Sequence, residues 1–525
     1  MRILVLDGVS EKGIDILREP GFTVDVIEEK LSEQQLVEMI PAYDAVVVRS
    51  ATKITAPIIA AGVNLKVIGR AGVGVDNIDV QAATQHGIIV VNAPDGNTIA
   101  AAEHTLALML ALARHVPQAN EALKKGKWLR KEFTGVELRD KILGVIGLGR
   151  IGTAVAKRAQ GFAMKVIGYD PYITHERARE IGVELVSLED VYREADFITV
   201  HLPKTKETVN LINREALAKM KPGVRIINVA RGGIINEQDL YEALKTGKVA
   251  GAALDVFEVE PTTESPLFEL PNVVVTPHLG ASTEEAQVNV ALDVAREIVT
   301  ILQGGMAQNA VNMPAIPKED ALVVKPYLAL AEKLGKFISQ LTSEFENIEI
   351  TYAGDVACIN TAPLTTAIIK GIMESYSDVP VSYVNAVQLA KGRGLRIMET
   401  REEEAHDYTN LITVKLTGGP CPKAVGGTLF RDNDARIVLI DGYRIDMVPE
   451  GYMLVAPHID KPRIIGRVGT LIGEHDINIA GMQVGRKQVG GRAVMVLAVD
   501  NVVPEAILGE IAKIDGIIDV KFVSL

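Results

Sequence analysis

Residues 141–152 read KILGVIGLGRIG, an apolar run that ends in Gly147-x-Gly149-x-x-Gly152. A short continuous apolar stretch followed directly by a helical pattern is the signature of a strand buried on both faces that turns into a helix. Eighteen residues beyond Gly152, the next such run, KVIGYD, ends in Asp170. Strand, glycines, helix and a strand-end acid at this spacing form the dinucleotide-binding fingerprint. The glycines let backbone N–H groups approach a pyrophosphate, and the helix N-terminus adds partial positive charge. Asp170 would accept hydrogen bonds from ribose hydroxyls and repel a 2′-phosphate. The residues after it are Pro171 and Tyr172, not arginine, so NAD is expected rather than NADP.

Outward from this stretch, residues 1 to about 300 repeat one theme. RILVLDG, AVVVRS, LKVIGRAG, FITVHLP, RIINVARGG and VVVTPHLG are each an apolar run closed by a loop. Alternation with helical patterns predicts parallel sheets, and there are too many strands for one comfortable sheet. A long helix over about 99–115 would cross between two of them. A second helix follows Ser282, with Glu285 three residues on as a capping box, and stops at Gly304-Gly305. GGMAQNAVNMPAIP then has no periodicity and reads as a linker near 304–317. Residues 318 to 450 mix helices and strands. After Gly451 the order is strand, helix, strand, strand, helix, strand, a ferredoxin-like βαββαβ unit.

At 525 residues the chain should hold three or four domains. A net charge of -12 argues against nucleic acid as main partner, since phosphate binding needs a basic stripe. Cys358 and Cys421 are the only cysteines, which excludes a disulfide framework and favours a reducing compartment. MRILVLDGVS reads as a first strand, not as a secretory signal. The most apolar helical run, TLALMLALA, spans nine residues, short of the ~20 that cross a bilayer. A cytoplasmic protein without membrane or nucleic-acid partners and without a metal site is expected.

A nicotinamide enzyme that oxidises an alcohol needs a base for the hydroxyl proton. Of nine histidines, His201 in TVHLP and His278 in VVTPHLGAS end strands, where the ligand crevice of an open α/β sheet lies. Arg231 ends another strand, and GAALDVFEVEP supplies Asp255 and Glu260. An arginine can hold a carboxylate through two parallel hydrogen bonds, and a carboxylate behind an imidazole favours its protonated form.

With these motifs in order (GLGRIG…YD, ADFITVHLPKTKETVNLI, KPGVRIINVARGG, LDVFEVEP and TPHLGAS), residues 1 to about 310 resemble the D-isomer-specific 2-hydroxyacid dehydrogenases. The resemblance implies that Arg231, Glu260 and His278 are catalytic, with His278 as acid/base. It places Gly147, Gly149, Arg150, Ile151, Gly152, Asp170, His201, Val229, Ala230, Arg231, Asp255, His278, Gly280 and Ala281 around NAD, with Asp255 at the nicotinamide end.

Over its whole length the chain is similar to the long-form phosphoglycerate dehydrogenases of that family. The implied architecture is two Rossmann-like parallel-sheet domains, an α+β intervening domain and a C-terminal ferredoxin-like ACT domain. The implied boundaries are 1–97 with 283–310 for substrate, 98–282 for NAD, 315–450 for the intervening domain and 452–525 for the ACT domain. The implied substrate is 3-phosphoglycerate, with Arg49 and Arg70 for its phosphate and Asn97, Arg231 and His278 for the rest. Alternatives are another 2-hydroxy acid (glyoxylate, hydroxypyruvate or 2-hydroxyglutarate) or a non-catalytic NAD-sensing regulator. Trp128, the only tryptophan, lies in GKWLR, a segment that in similar enzymes crosses to a neighbouring subunit, so a homodimer or homotetramer is expected. Asp460 and Asn478 match positions that bind serine, but Arg463 stands where the family often has glycine. A serine effector and a purely structural pairing role both remain open.

Overall fold

The computed structural model describes residues 1–305, 307–314, 320–377 and 379–525. The expected start of the intervening domain, residue 315, lies outside the described residues. Four sheets are present. The first is all parallel, with β1 (Arg2–Leu6), β2 (Thr23–Ile27), β3 (Ala45–Val48), β4 (Val67–Arg70) and β5 (Ile89–Asn92) in the order β2-β1-β3-β4-β5. The second is also parallel: β6 (Ile142–Ile146), β7 (Lys165–Tyr169), β8 (Glu184–Leu185), β9 (Phe197–Val200), β10 (Val224–Asn228), β11 (Val249–Leu254) and β12 (Val273–Val275), ordered β12-β11-β10-β9-β6-β7-β8. Strand order reverses between β6 and β9, the switch point at which such sheets bind ligands. Strands β2, β5 and β8 have no counterpart in the apolar runs read from sequence. TVDVI is a partly exposed edge, IVVN ends the same sheet on the other side, and β8 has two residues.

Helix Thr98–Arg114 carries the chain from the first sheet to the second and packs Ala102, Leu106, Met109 and Leu112 with Leu143 and Val145. Helix Glu284–Leu302 carries it back, burying Val290, Val294 and Ile298 against Ile3, Val5, Val67 and Val91. Each such side chain contributes about 1.5–3 kcal/mol on burial. The expected capping box at Ser282 is not the cap. Thr283 is the N-cap and its hydroxyl accepts from Ala286 N–H, while Ser282 N–H closes the preceding turn on Leu279 O at 2.8 Å. Part of the stretch read as a linker is docked as well: Val311 N–H donates to Val90 O at 2.7 Å, and Asn312 bonds Val90 N–H and Ile88 O.

The third sheet is mixed, with β13 (Asn347–Gly354), β14 (Arg396–Glu402), β15 (Asn410–Thr417), β16 (Lys423–Leu429), β17 (Ala435–Ile440) and β18 (Tyr443–Met447) in the order β14-β13-β15-β16-β17-β18. The fourth is the antiparallel ferredoxin-like sheet of β19 (Tyr452–Ile459), β20 (Ile479–Arg486), β21 (Arg492–Val499) and β22 (Lys521–Ser524), ordered β20-β21-β19-β22. Period two explains how it is used. Met453, Val455, Val494 and Val496 face a core shared with Leu330, Leu334, Ile350 and Val414, whereas Leu454, Ala456, Met495 and Leu497 face the unit's own helices. The last two sheets thus share one hydrophobic core. Among the described residues, no helix is long and apolar enough to cross a membrane.

Candidate active site

Strand ends build the cleft. Gly147 follows β6, with φ 95°, and a β-carbon there would lie 2.5 Å from His201 O, the residue that follows the neighbouring β9. A β-carbon at Gly152 would lie 1.9 Å from Gly147 O, so both glycines are set by close packing. Gly149 differs. A β-carbon there meets no protein atom within 4 Å, at the N-cap of helix Arg150–Gln160, which leaves backbone N–H groups accessible to an anion. Asp170 accepts from Leu148 N–H at 2.8 Å and Tyr172 N–H at 2.9 Å, and its oxygens keep further lone pairs for hydroxyl donors. These residues fit a dinucleotide. Arg150 opens the helix, and its guanidinium reaches Asp95 of the first domain at 2.5 Å. His201 bonds Thr199 Oγ1 at 3.0 Å, and burial brings its imidazole down to about 4, so it is neutral near pH 7.

Arg231, Asp255 and His278 follow the adjacent strands β10, β11 and β12. His278 Nδ1 lies 2.6 Å from Glu260 Oε2, and Glu260 Oε1 accepts from Phe257 N–H at 2.9 Å. Burial pushes the Glu260 carboxyl up, but the bonds from His278 and Phe257 and the charges of His278 and Arg231 outweigh it and hold the group below its ordinary value. The Nδ1 contact leaves Nε2 as the nitrogen free for substrate. His278 has φ 56°, a left-handed turn residue whose N–H is held by Asp255 O at 2.8 Å. The Asp255 carboxylate organises the same turn: Oδ1 accepts from Leu279 N–H at 2.7 Å and Thr276 Oγ1 at 2.6 Å, Oδ2 from Gly280 N–H at 2.8 Å, and His104 Nε2 lies 3.2 Å from Oδ1. The side chain is fully buried, and these donors make it the anchor of the turn that carries His278. Burial opposes its charge, but the donors prevail and keep it ionised.

Across the cleft, Arg231 Nε donates to Asp76 Oδ2 at 3.1 Å, and Asn228, buried behind it, bonds Arg231 O and Ala230 N–H. Val229 is buried, and Val229 Cγ1 would lie 2.9 Å from a β-carbon at Gly280; Ala281 follows that turn. Arg70 ends β4. Burial, then the charges of Arg231 and Arg49, bring its guanidinium down to about 10 against the opposing charges of Asp76 and Asp7, so Arg70 has both other arginines among its neighbouring charges. Arg70 Nε, Asn97 Oδ1 and Thr98 Oγ1 are buried without a hydrogen-bond partner in the protein. Space for the arginines comes from two glycines: a β-carbon at Gly72 would lie 1.4 Å from Arg70 Nη1, and one at Gly74 would lie 1.7 Å from Arg231 Nη2. Arg49 N–H is fixed by Asp7 Oδ2 at 2.8 Å, joining the ends of β1 and β3.

Sequence reasoning missed Gly72, Gly74, Asp76, His104, Asn228 and Thr276. The glycines directly after Arg70 were a visible signal, whereas His104 sits mid-helix with nothing local to mark it. In the C-terminal unit the two expected effector residues have separate partners. Asp460 accepts from Arg486 at 2.9 Å, and Asn478 donates to Asp500 at 2.7 Å. Arg463 keeps the backbone of a glycine, with φ 78°.

Residues 106–280 match the D-isomer specific 2-hydroxyacid dehydrogenase NAD binding domain, 323–441 the D-3-phosphoglycerate dehydrogenase intervening domain, and 458–516 the ACT domain. The chain is 50% identical to a D-3-phosphoglycerate dehydrogenase of Synechocystis sp. over 100% of its own length and 95% of that protein. It belongs to the D-3-phosphoglycerate dehydrogenase family. An Archaeoglobus fulgidus protein of the same name is 48% identical over 100% of both chains. The apo-structure of D-lactate dehydrogenase from Escherichia coli matches at 29% identity with a TM-score of 0.53, covering 59% of this chain and 100% of that one. The protein is an NAD-dependent dehydrogenase with a C-terminal ACT domain. The arginine cluster, the His278–Glu260 pair and the glycine-lined helix start all lie at strand ends of the first two sheets.

Proposed function

We propose that this dehydrogenase oxidises D-3-phosphoglycerate to 3-phosphohydroxypyruvate, the first step of the phosphorylated route to serine. The observation that carries the substrate is the cation set Arg49, Arg70 and Arg231, one member of which is buried with an unpartnered Nε. A plain 2-hydroxy acid offers one carboxylate, whereas this set suits two anionic groups. Arg231 orients the carboxylate and the oxygen on C2, and Arg49 and Arg70 take the phosphate. His278 Nε2 accepts the C2 hydroxyl proton while the C2 hydrogen leaves as hydride. Glu260 at Nδ1 then faces a full imidazolium, a charge-assisted bond that strengthens as the proton arrives. NAD, which the Gly147–Gly152 turn and Asp170 would hold, would supply the hydride acceptor.

His278→Asn is expected to bind NADH normally and to lose most turnover; retained turnover would remove the acid/base role. Comparing 3-phosphohydroxypyruvate with hydroxypyruvate tests the phosphate. Equal kcat/KM for the two would favour a dehydrogenase of unphosphorylated acids. A homodimer or homotetramer in the cytoplasm is part of the same proposal. Trp128, 75% exposed in the single chain, supports pairing through its segment, and sedimentation measures the state. Serine as effector is tested by thermal shift, and no shift would leave the ACT domain a structural role.

A further inference from the structure

We infer that His104 is a positioning residue for the hydride-transfer step, acting on His278 through Asp255. The chain passes between the first two domains at two places: into helix Thr98–Arg114, and out through the His278 turn into helix Glu284–Leu302. His104 stands about 9 Å along the first helix from Thr98, where that helix packs on β11 and β12. Its Nε2 lies 3.2 Å from Asp255 Oδ1 and 3.1 Å from Thr276 Oγ1. The Thr276 hydroxyl is itself 2.6 Å from Asp255 Oδ1 and must donate there, since an ionised carboxylate only accepts. His104 Nε2 therefore carries the hydrogen and donates to both oxygens. That assignment fixes the chain of contacts: His104 to Asp255, Asp255 to the N–H groups of Leu279 and Gly280, and Asp255 O to the N–H of His278.

Two properties make this more than a core hydrogen bond. Asp255 is fully buried, so its charge persists only while its donors hold it, and among the described residues His104 is the one donor that comes from outside the β11–β12 region. His278 also has φ 56°, a conformation that costs a residue with a β-carbon about 1 kcal/mol or more and is kept by its surroundings. His104 thus ties the first domain crossing to the turn that aims the base just before the second. Displacing a reacting group by about 1 Å can cost on the order of a hundredfold in rate.

This inference rests on His278 being the acid/base, so His278→Asn is measured alongside. Three variants differ only in what they present at Nε2: His104→Gln places an amide N–H there, His104→Asn stops short, and His104→Leu offers nothing. With 3-phosphohydroxypyruvate and NADH, Leu and Asn should lose kcat about tenfold or more, keep KM and the NADH dissociation constant within about twofold, and Gln should stay within about threefold of wild type. Equal kcat for the Gln and Asn variants would overturn the inference, as would NADH binding that weakens in step with kcat. If the Leu variant does not fold, the Gln and Asn pair still decides. Should His278→Asn keep its turnover, the fault lies in the acid/base reading; should it lose turnover while Gln and Asn match, only the role of His104 fails.

Discussion

Gly74→Ala isolates one side chain. A β-carbon on residue 74 would lie 1.7 Å from Arg231 Nη2 and 2.8 Å from its Cζ, far inside contact distance, so the guanidinium must swing away. The backbone itself has no objection: Gly74 is not among the glycines with positive φ, and alanine there restricts the unfolded chain, a gain of about 0.4–1 kcal/mol that offsets local crowding. Melting temperature should therefore hardly move. If Arg231 holds the substrate carboxylate as proposed, what is lost is that charge-assisted contact. Hydrogen bonds to charged groups contribute about 1.5–3 kcal/mol, and a long side chain recovers some of this from a new rotamer, so a net loss of about 2–3 kcal/mol is expected. That corresponds to about 30- to 150-fold in kcat/KM. The assay is steady-state reduction of 3-phosphohydroxypyruvate by NADH, with NADH affinity from fluorescence quenching. NADH affinity is the control: a loss of affinity as large as the fall in kcat/KM would assign the effect of moving Arg231 to the cofactor and not to the substrate. Unaltered kcat/KM in a folded Gly74→Ala protein would mean that Arg231 does not hold the substrate from this position, and the cleft as described would be wrong.

Arg70→Lys tests the other cation directly, because Gly72, beside it at φ 159°, would carry backbone strain as alanine: kcat/KM should fall more for the phosphorylated oxo acid than for hydroxypyruvate, and equal falls would refute phosphate selection by Arg70. Arg463→Gly relieves a left-handed arginine, about 1–2 kcal/mol, at an entropic cost of about 0.5–1 kcal/mol, so urea denaturation should show a net gain of about 0.5–1 kcal/mol; a loss would mean that the arginine side chain is itself a structural contact. His201 titrates near 4 when folded and near 6.5 when unfolded, so the unfolded chain takes up the proton first as pH falls. Its contribution is intact above about 6.5 and is lost on the way to 4, on the order of 3 kcal/mol. His201→Asn should flatten that part of the stability profile, and an unchanged slope would show that another group is responsible.

Some of the protein is written in short stretches. KILGVIGLGRIG with Asp170 sets a strand, a turn that tolerates no β-carbon at 147 or 152, and a helix start, because every constraint acts within some thirty residues. The βαββαβ order after Gly451 was legible for the same reason: YMLVAPHID and RAVMVLAVD are short, nearly continuous apolar runs, the mark of strands covered on both faces. What covers the second face, Leu330 and Ile350 among others, could not be read, because it is far away in the chain. Thr283 displaced Ser282 as helix cap because the turn held by Leu279 O claims the serine N–H first. Arg231, Glu260 and His278 could be singled out because strand ends of a parallel sheet share one edge. Their geometry could not. His104 meets Asp255 across 151 residues and Arg231 meets Asp76 across 155, and no periodicity or spacing records such pairings. Local sequence fixes backbone conformation, through sterics and side-chain period, so it determined the elements and the cofactor turn. Which buried charge finds which donor depends on how those elements stack, and only the folded chain decided that Asp255 would face inward and His278 outward.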